Sequence, residues 1–238
     1  MIAMDIKQTA RNSRNSLQQG IYKVINPFVR LLIRLHITPN MVTTIGFLGN
    51  VAGAALTVMA GYGAIQGRPV DYALLTWAGA LIIGFSLFDM LDGQVARLGG
   101  MTSTFGAMYD SVLDRYCELF TLGGIAYYFI GCGDFLGALI TFLALVGSIM
   151  VSYVRARAEG LDIECKIGFM QRPERVVVTS VAALATGITG MCIDTTAPEA
   201  FCPNWILFAA MCIIAVFANM TAFARIAHCR RALRAQNR

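Results

Sequence analysis

The sequence is poor in charge. Asp, Glu, Lys and Arg make up 14% of its 238 residues, against about 25% in ordinary soluble domains. With 57% of residues hydrophobic, so few charges cannot cover a water-facing surface, which excludes a soluble globule. Polar linkers, low-complexity stretches and internal repeats are missing, so residues 1–238 read as one membrane domain. Strand-type alternation is missing too, which leaves an all-α fold. Histidine is scarce: His36 and His228 are the only two, and neither has neighbours in sequence that point to catalysis. The seven cysteines show no close Cys/His pairing, which excludes a zinc-type site. Residues 1–20 contain no apolar core of the signal-peptide kind, so no cleavable leader is expected.

What is present is a set of long apolar runs. Six of them, near 40–62, 72–98, 104–131, 133–156, 174–193 and 203–226, approach or exceed the roughly 20 residues that a bilayer crossing requires. The expectation is an all-α integral membrane protein with six transmembrane helices over about residues 40–226. Ahead of them, residues 21–36 place Lys23, Asn26, Arg30 and Arg34 on one helical stripe with apolar residues elsewhere, the pattern of an interfacial amphipathic helix.

The basic residues fix an orientation. With the N-terminus inside, inner segments hold Lys7, Arg11, Arg14, Lys23, Arg30, Arg34, Arg155, Arg157, Lys166, Arg172, Arg175 and the tail arginines, whereas outer loops hold only Arg68. Both termini are therefore expected in the cytoplasm. The same asymmetry accounts for the net charge of +5 without a nucleic-acid partner. Cys192 and Cys202 share a predicted outer loop, where they can form a disulfide if that compartment is oxidising or stay as two thiols.

The few carboxylates are not scattered. The stretch FDMLDGQVARLGGMTSTFGAMYDSVLD, Phe88 to Asp114, carries Asp89, Asp92, Asp110 and Asp114 across a short turn between two apolar helices. Helical spacing puts Asp89, Asp92, Gly93, Ala96 and Arg97 on one face, and Gly106, Asp110, Asp114 and then Glu118 on another. Each Asp at the bilayer centre costs about 2.5–3.5 kcal/mol on insertion scales, so four together call for a watery cavity and a neutralising partner. Arg97 and Arg115 supply part of it; a divalent cation is the natural remainder. The small residues between the acids either allow close helix packing or leave room for a ligand.

The spacing D-x2-D-G-x2-A-R-x8-G-x3-D-x3-D, filled at every fixed position from Asp89 to Asp114, resembles the signature of the CDP-alcohol phosphotransferase family. ITPNMVTTIG, Ile37 to Gly46, resembles the opening of that family's first span. The resemblance implies Mg²⁺ or Mn²⁺, as two ions, bound by Asp89, Asp92 and Asp110 with Asp114 sharing, and Asp114 as general base. It implies that Gly93, Ala96, Arg97 and Gly106 receive the cytidine diphosphate part of the donor. A bacterial inner-membrane location and a homodimer follow from the same likeness.

After the fourth run, SYVRARAEG and RPER resemble the branch that attaches inositol phosphate to lipid, with CDP-diacylglycerol as donor and phosphatidylinositol phosphate and CMP as products. Arg155, Arg157, Arg172 and Arg175 are then the candidate contacts to the acceptor phosphate. Glycerol 3-phosphate is the alternative acceptor. A cation transporter would also use buried acids, but Arg97 in its path argues against one.

Overall fold

The computed structural model describes residues 26–193 and 201–236, apart from the side chains of residues 89, 90 and 236. Residues 26–34 form α1. The helices that follow are α2 (Pro39–Ile65), α3 (Tyr72–Ser86), α4 (Phe88–Leu98), α5 (Thr104–Gly131), α6 (Phe135–Glu159), α7 (Arg172–Cys192) and α8 (Asn204–Gln236). No strand occurs among the described residues, as an all-α reading requires.

Five helical stretches are long and apolar enough to cross a membrane: Pro39–Ile65, Tyr72–Leu98, Phe135–Glu159, Arg172–Cys192 and Asn204–Ala235. The chain is thus a multi-pass membrane protein. The sixth expected crossing, α5, is long enough but carries Asp110, Asp114, Arg115 and Glu118, the charges that keep it from the apolar class. The run expected as one helix over 72–98 is divided by a turn at Leu87. Leu87 keeps right-handed backbone angles (φ −69°, ψ −22°), so the break interrupts the helical hydrogen bonds without reversing the chain. Of the expected interfacial helix at 21–36, residues 21–25 lie outside the described residues.

The chain forms two compact units: the residues up to Gly46 with Leu87–Ser111, and Phe47–Ser86 with the residues from Val112 on. In the first, Val29 of α1 packs with Val42, Leu91 and Val95, and Leu32, Ile33 and Phe88 close around them. Helix α1 stops where His36 N–H donates to Ile33 O and Ile37 N–H to Leu32 O, both at 3.0 Å. This Schellman pattern puts His36 at φ 57°. Helix α4 stops the same way, with Met101 N–H on Ala96 O at 2.9 Å and Gly100 at φ 64°, a conformation that suits glycine. Ser103 then opens α5 by accepting the Gly106 N–H at 2.9 Å, an N-cap bond. These two signals make the link short.

In the second unit α3 packs along α7, α6 along α8, and α7 against α8. Small residues bring the backbones together. A Cβ on Gly79 would fall 2.7 Å from Leu184 N and 2.9 Å from Ser180 O, so the α3–α7 crossing requires glycine there. Asn219 of α8 donates to Leu143 O at 3.1 Å. The core contains Leu75, Ile125, Tyr128, Phe129, Leu207, Met211 and Ile214, each at most 1% exposed. Between α6 and α7 a strap of residues 160–171 runs without regular helix. No disulfide links any of the seven cysteines, so the pairing that the sequence permits between Cys192 and Cys202 is not formed in the structure.

Candidate active site

In the first unit a cavity of about 260 Å³ is lined by Asn40, Thr43, Asp92, Gly93, Ala96, Arg97, Gly106 and Asp110, among others. All but one of the motif residues expected to meet donor or metal within this unit are in that lining; the exception is Asp89, whose side chain lies outside the description. Asp92 is only 6% exposed, and Thr43 Oγ1 donates to its Oδ2 at 2.6 Å. A charge-assisted bond of this length holds the carboxylate in one orientation. Thr43 escaped the sequence reading; the signal was its place in ITPNMVTTIG, 49 residues from the acid it serves.

The two glycines distinguish a ligand space from close packing. A Cβ on Gly93 would meet nothing nearer than Arg97 Nη2 at 3.5 Å. Packing therefore does not require glycine at 93, and the bare backbone there opens onto the cavity. A Cβ on Gly106 would fall 2.9 Å from Ser103 Oγ and 3.2 Å from Asn40 Oδ1, so close packing already favours glycine at 106. Of the two, Gly93 is the one that offers open backbone to a ligand.

The donor set also fits a hard cation. Asp92 and Asp110 line one cavity, and Mg²⁺ is usually held by one or two carboxylates completed by substrate phosphate.

The second unit holds the remaining acid and the arginines. Asp114 Oδ1 accepts from Arg172 Nη2 at 2.7 Å, with side chains 14% and 24% exposed. One helical turn on, Glu118 takes Arg175 in a two-pronged pair: Nε to Oε1 at 2.6 Å and Nη2 to Oε2 at 3.1 Å. Arg175 Nη1 also donates to Met170 O at 3.1 Å, and the residue is 2% exposed. A cavity of about 20 Å³ bordered by Asp114, Glu118, Thr121, Arg172, Arg175 and Thr179 has room for about one water.

Helix α7 begins at Arg172 with Pro173 in its first turn, a position where proline gives up no helical bond. That start places Arg172 at the helix N-terminus, where the macrodipole favours anions. The other two expected arginines differ. Arg155 Nε is paired with Glu159 Oε1 at 2.9 Å on an open surface, and Arg157 is exposed. The sequence had placed Glu118 on the acidic face but gave it no role; its partner lies 57 residues away.

A family model described as CDP-alcohol phosphatidyltransferase matches residues 36–217. A phosphatidylinositol phosphate synthase of Cutibacterium acnes is 34% identical over 218 residues, 90% of this chain and 95% of its own length. An archaetidylinositol phosphate synthase of Methanothermobacter thermautotrophicus is 36% identical over 171 residues, 72% of this chain and 77% of its own. Among solved structures, the Mycobacterium tuberculosis phosphatidylinositol phosphate synthase with CDP-DAG bound superposes with a TM-score of 0.71 at 28% identity, over 87% of this chain and 94% of that one. The same enzyme in complex with manganese and citrate also gives 0.71, at 29% identity over 85% and 87%. With its eight-residue signature intact and a family model covering most of its length, the chain belongs to the CDP-alcohol phosphatidyltransferase family.

Proposed function

We infer that this enzyme transfers the phosphatidyl group from CDP-diacylglycerol to inositol phosphate, releasing phosphatidylinositol phosphate and CMP. The observation that carries the reading is the polar cavity of about 260 Å³ that gathers Asp92, Gly93, Ala96, Arg97, Gly106 and Asp110. It offers two carboxylates, an arginine and bare backbone to a nucleoside diphosphate.

In the proposed mechanism Gly93, Ala96 and Gly106 let the cytidine diphosphate lie against the backbone, and Arg97 holds a phosphate oxygen through its fork of donors. Asp89, Asp92 and Asp110, with Asp114 sharing, would hold Mg²⁺ or Mn²⁺ together with the donor's phosphates, as the two ions the family resemblance implies. When bound, such cations neutralise the pyrophosphate and the departing CMP. Thr43 keeps Asp92 aimed into the cavity. The acceptor's phosphate meets Arg172 at the start of α7, with Arg157 as the outer contact. Asp114 then takes the acceptor hydroxyl proton. The acceptor oxygen bonds to the lipid-side phosphorus, and the bond from that phosphorus to the CMP oxygen breaks. Arg175 serves from behind, with three of its donors committed to Glu118 and Met170, and Arg155 is a surface partner of Glu159.

The same reading makes α5 the sixth crossing, puts residues 21–36 along the interface, and places the enzyme in a bacterial inner membrane with cytoplasmic termini. It also takes the homodimer as its assembly. The test is CMP release by the purified protein supplied with CDP-diacylglycerol, Mg²⁺ and one of inositol phosphate, inositol or glycerol 3-phosphate. Turnover with inositol phosphate at least tenfold above the other two is expected. Faster turnover with glycerol 3-phosphate overturns the acceptor, and turnover with unphosphorylated inositol overturns the phosphate contact.

A further inference from the structure

The strap of residues 160–171 follows α6 and leads into the N-cap of α7. Without a regular helix to satisfy its backbone, it fastens to α8. Arg225 Nε donates to Ile167 O at 2.8 Å, and His228 Nε2 meets Glu164 O at 3.2 Å. Cys165 lies between these two fastenings. Its sulfur is 3.9 Å from Cys229 Sγ of α8, 64 positions away in the chain. The backbone on both sides of Cys165 is thus tied to the helix that carries Cys229, which keeps the two thiols opposite one another.

The two cysteines differ in access. Cys165 is 1% exposed, in a small apolar cluster with Ala158 and Ile163 against which Ile167, Cys229 and Ala232 pack. Cys229, at the edge of that cluster, is only partly buried. Burial, with the Cys229 sulfur beside it, raises the Cys165 thiol pKa. Cys165 is therefore protonated and shielded, and Cys229 is the one a reagent reaches first. A single buried thiol is often no more than a small apolar residue. Two thiols in contact, one accessible and one sheltered, match an attacked cysteine and its resolving partner. A disulfide places its sulfurs at about 2.05 Å, a difference that rotation of the two side chains can cover.

We propose that Cys165 and Cys229 form a reversible oxidation site: a peroxide converts Cys229 to a sulfenic acid, and Cys165 closes it to a disulfide that staples the strap to α8. In the first step the Cys229 sulfur bonds to one peroxide oxygen, the O–O bond breaks, and one water leaves. In the second the Cys165 sulfur bonds to the Cys229 sulfur, its proton joins the departing hydroxyl, and a second water leaves. One peroxide is reduced and two thiols are oxidised, with no further reactant. A dithiol reductant reverses the bond.

With the strap on the cytoplasmic side, as proposed above, both thiols are ordinarily kept reduced, and the staple forms only when peroxide is present. The chemistry itself does not depend on that placement. Rapid closure keeps Cys229 from advancing to the irreversible sulfinic and sulfonic acids. Because the sulfurs are already in contact, the staple holds the strap where it lies, so the oxidised protein keeps its turnover and gains stability.

The test treats the full-length protein in detergent with hydrogen peroxide, blocks remaining thiols with N-ethylmaleimide and digests without reductant for mass spectrometry. A peptide linked through Cys165 and Cys229, lighter by two hydrogens and lost on dithiothreitol treatment, should be the main disulfide product. In Cys165→Ser, sulfenic and sulfinic acid at Cys229 should exceed the parent level at least tenfold; in Cys229→Ser, Cys165 should remain a thiol. Stapling should raise Tm by about 5–10 °C, the scale of a cross-link closing a long loop, with turnover within twofold. Absence of the linked peptide, or other pairings in equal yield, overturns the site. Oxidation of Cys165 in Cys229→Ser as fast as that of Cys229 in Cys165→Ser overturns the order of attack. A linked protein with a lowered Tm, or with turnover reduced more than twofold, overturns the staple, since the strap must then move to form the bond. The parent's linked peptide decides the site even where a serine variant does not fold. A failure of the proposed function is separate, because the linked peptide and Tm are read without substrate.

Discussion

The cavity of the first unit and the arginine cluster of the second solve opposite problems. Around Asp92 and Asp110 the protein leaves space: two glycines, an alanine and a volume of about 260 Å³. Around Asp114 and Glu118 it closes space, pairing each acid with an arginine and leaving about 20 Å³. On the proposed reading, the first region receives a bulky nucleotide that brings its own charge. The second is built to hold cations at set positions, because a buried charge is tolerated only when paired and hydrogen-bonded. The difference teaches which residues act on substrate and which act on their neighbours.

The largest effect that separates the regions is expected at Asp114. Asp114→Asn should lower kcat by about 10²–10⁴, the usual contribution of a general base, while CDP-diacylglycerol binding measured by titration stays within a few-fold. A variant that loses nucleotide binding as severely as turnover would move Asp114 to the donor side and break the comparison. Next comes Glu118→Gln, which leaves Arg175 buried with half of its pair and should cost about 3–5 kcal/mol of stability, read as a lowered Tm. The double variant Glu118→Leu with Arg175→Met should regain most of it, and if it does not, the pair does more than support the fold.

A smaller effect is expected at the rim of the first region's cavity. Gly106→Ala puts a methyl group 2.9 Å from Ser103 Oγ and should raise the donor KM by about tenfold with the acceptor KM unchanged, the scale of one misplaced contact. An unchanged donor KM would mean that the nucleotide lies elsewhere. The smallest belongs to Arg155→Ala. Its exposed pair with Glu159 is worth about 0.3–0.5 kcal/mol, so stability and acceptor KM should both change by less than twofold. A tenfold rise in acceptor KM would return Arg155 to the acceptor site.

The two regions also differ in how far they were legible. Asp92, Gly93, Ala96, Arg97, Gly106 and Asp110 lie on two helices joined by a short link, so helical spacing was enough to foresee that they line one cavity. The turn at Leu87 was not legible, because the residues around it form one unbroken apolar run. Nor were the partners that arrive from distant chain positions: Thr43 for Asp92, Arg175 for Glu118, Arg225 for Ile167. Charge counting saw Arg155, Arg157, Arg172 and Arg175 as one group. Packing divides them, because Arg175 is buried and taken up by Glu118 while Arg155 lies on an open surface beside Glu159.

The Arg172–Asp114 contact of 2.7 Å bears on fidelity. Water is a hydroxyl compound present at far higher concentration than any sugar phosphate, and an activated donor is always open to it. A carboxylate already neutralised by a guanidinium is a weak proton acceptor for water. In the proposed mechanism an incoming phosphate competes for that guanidinium, which would loosen its hold on the carboxylate as the proper alcohol arrives. On that reading the ion pair ties reactivity to the presence of the substrate that should consume it, and protects the lipid intermediate from idle hydrolysis.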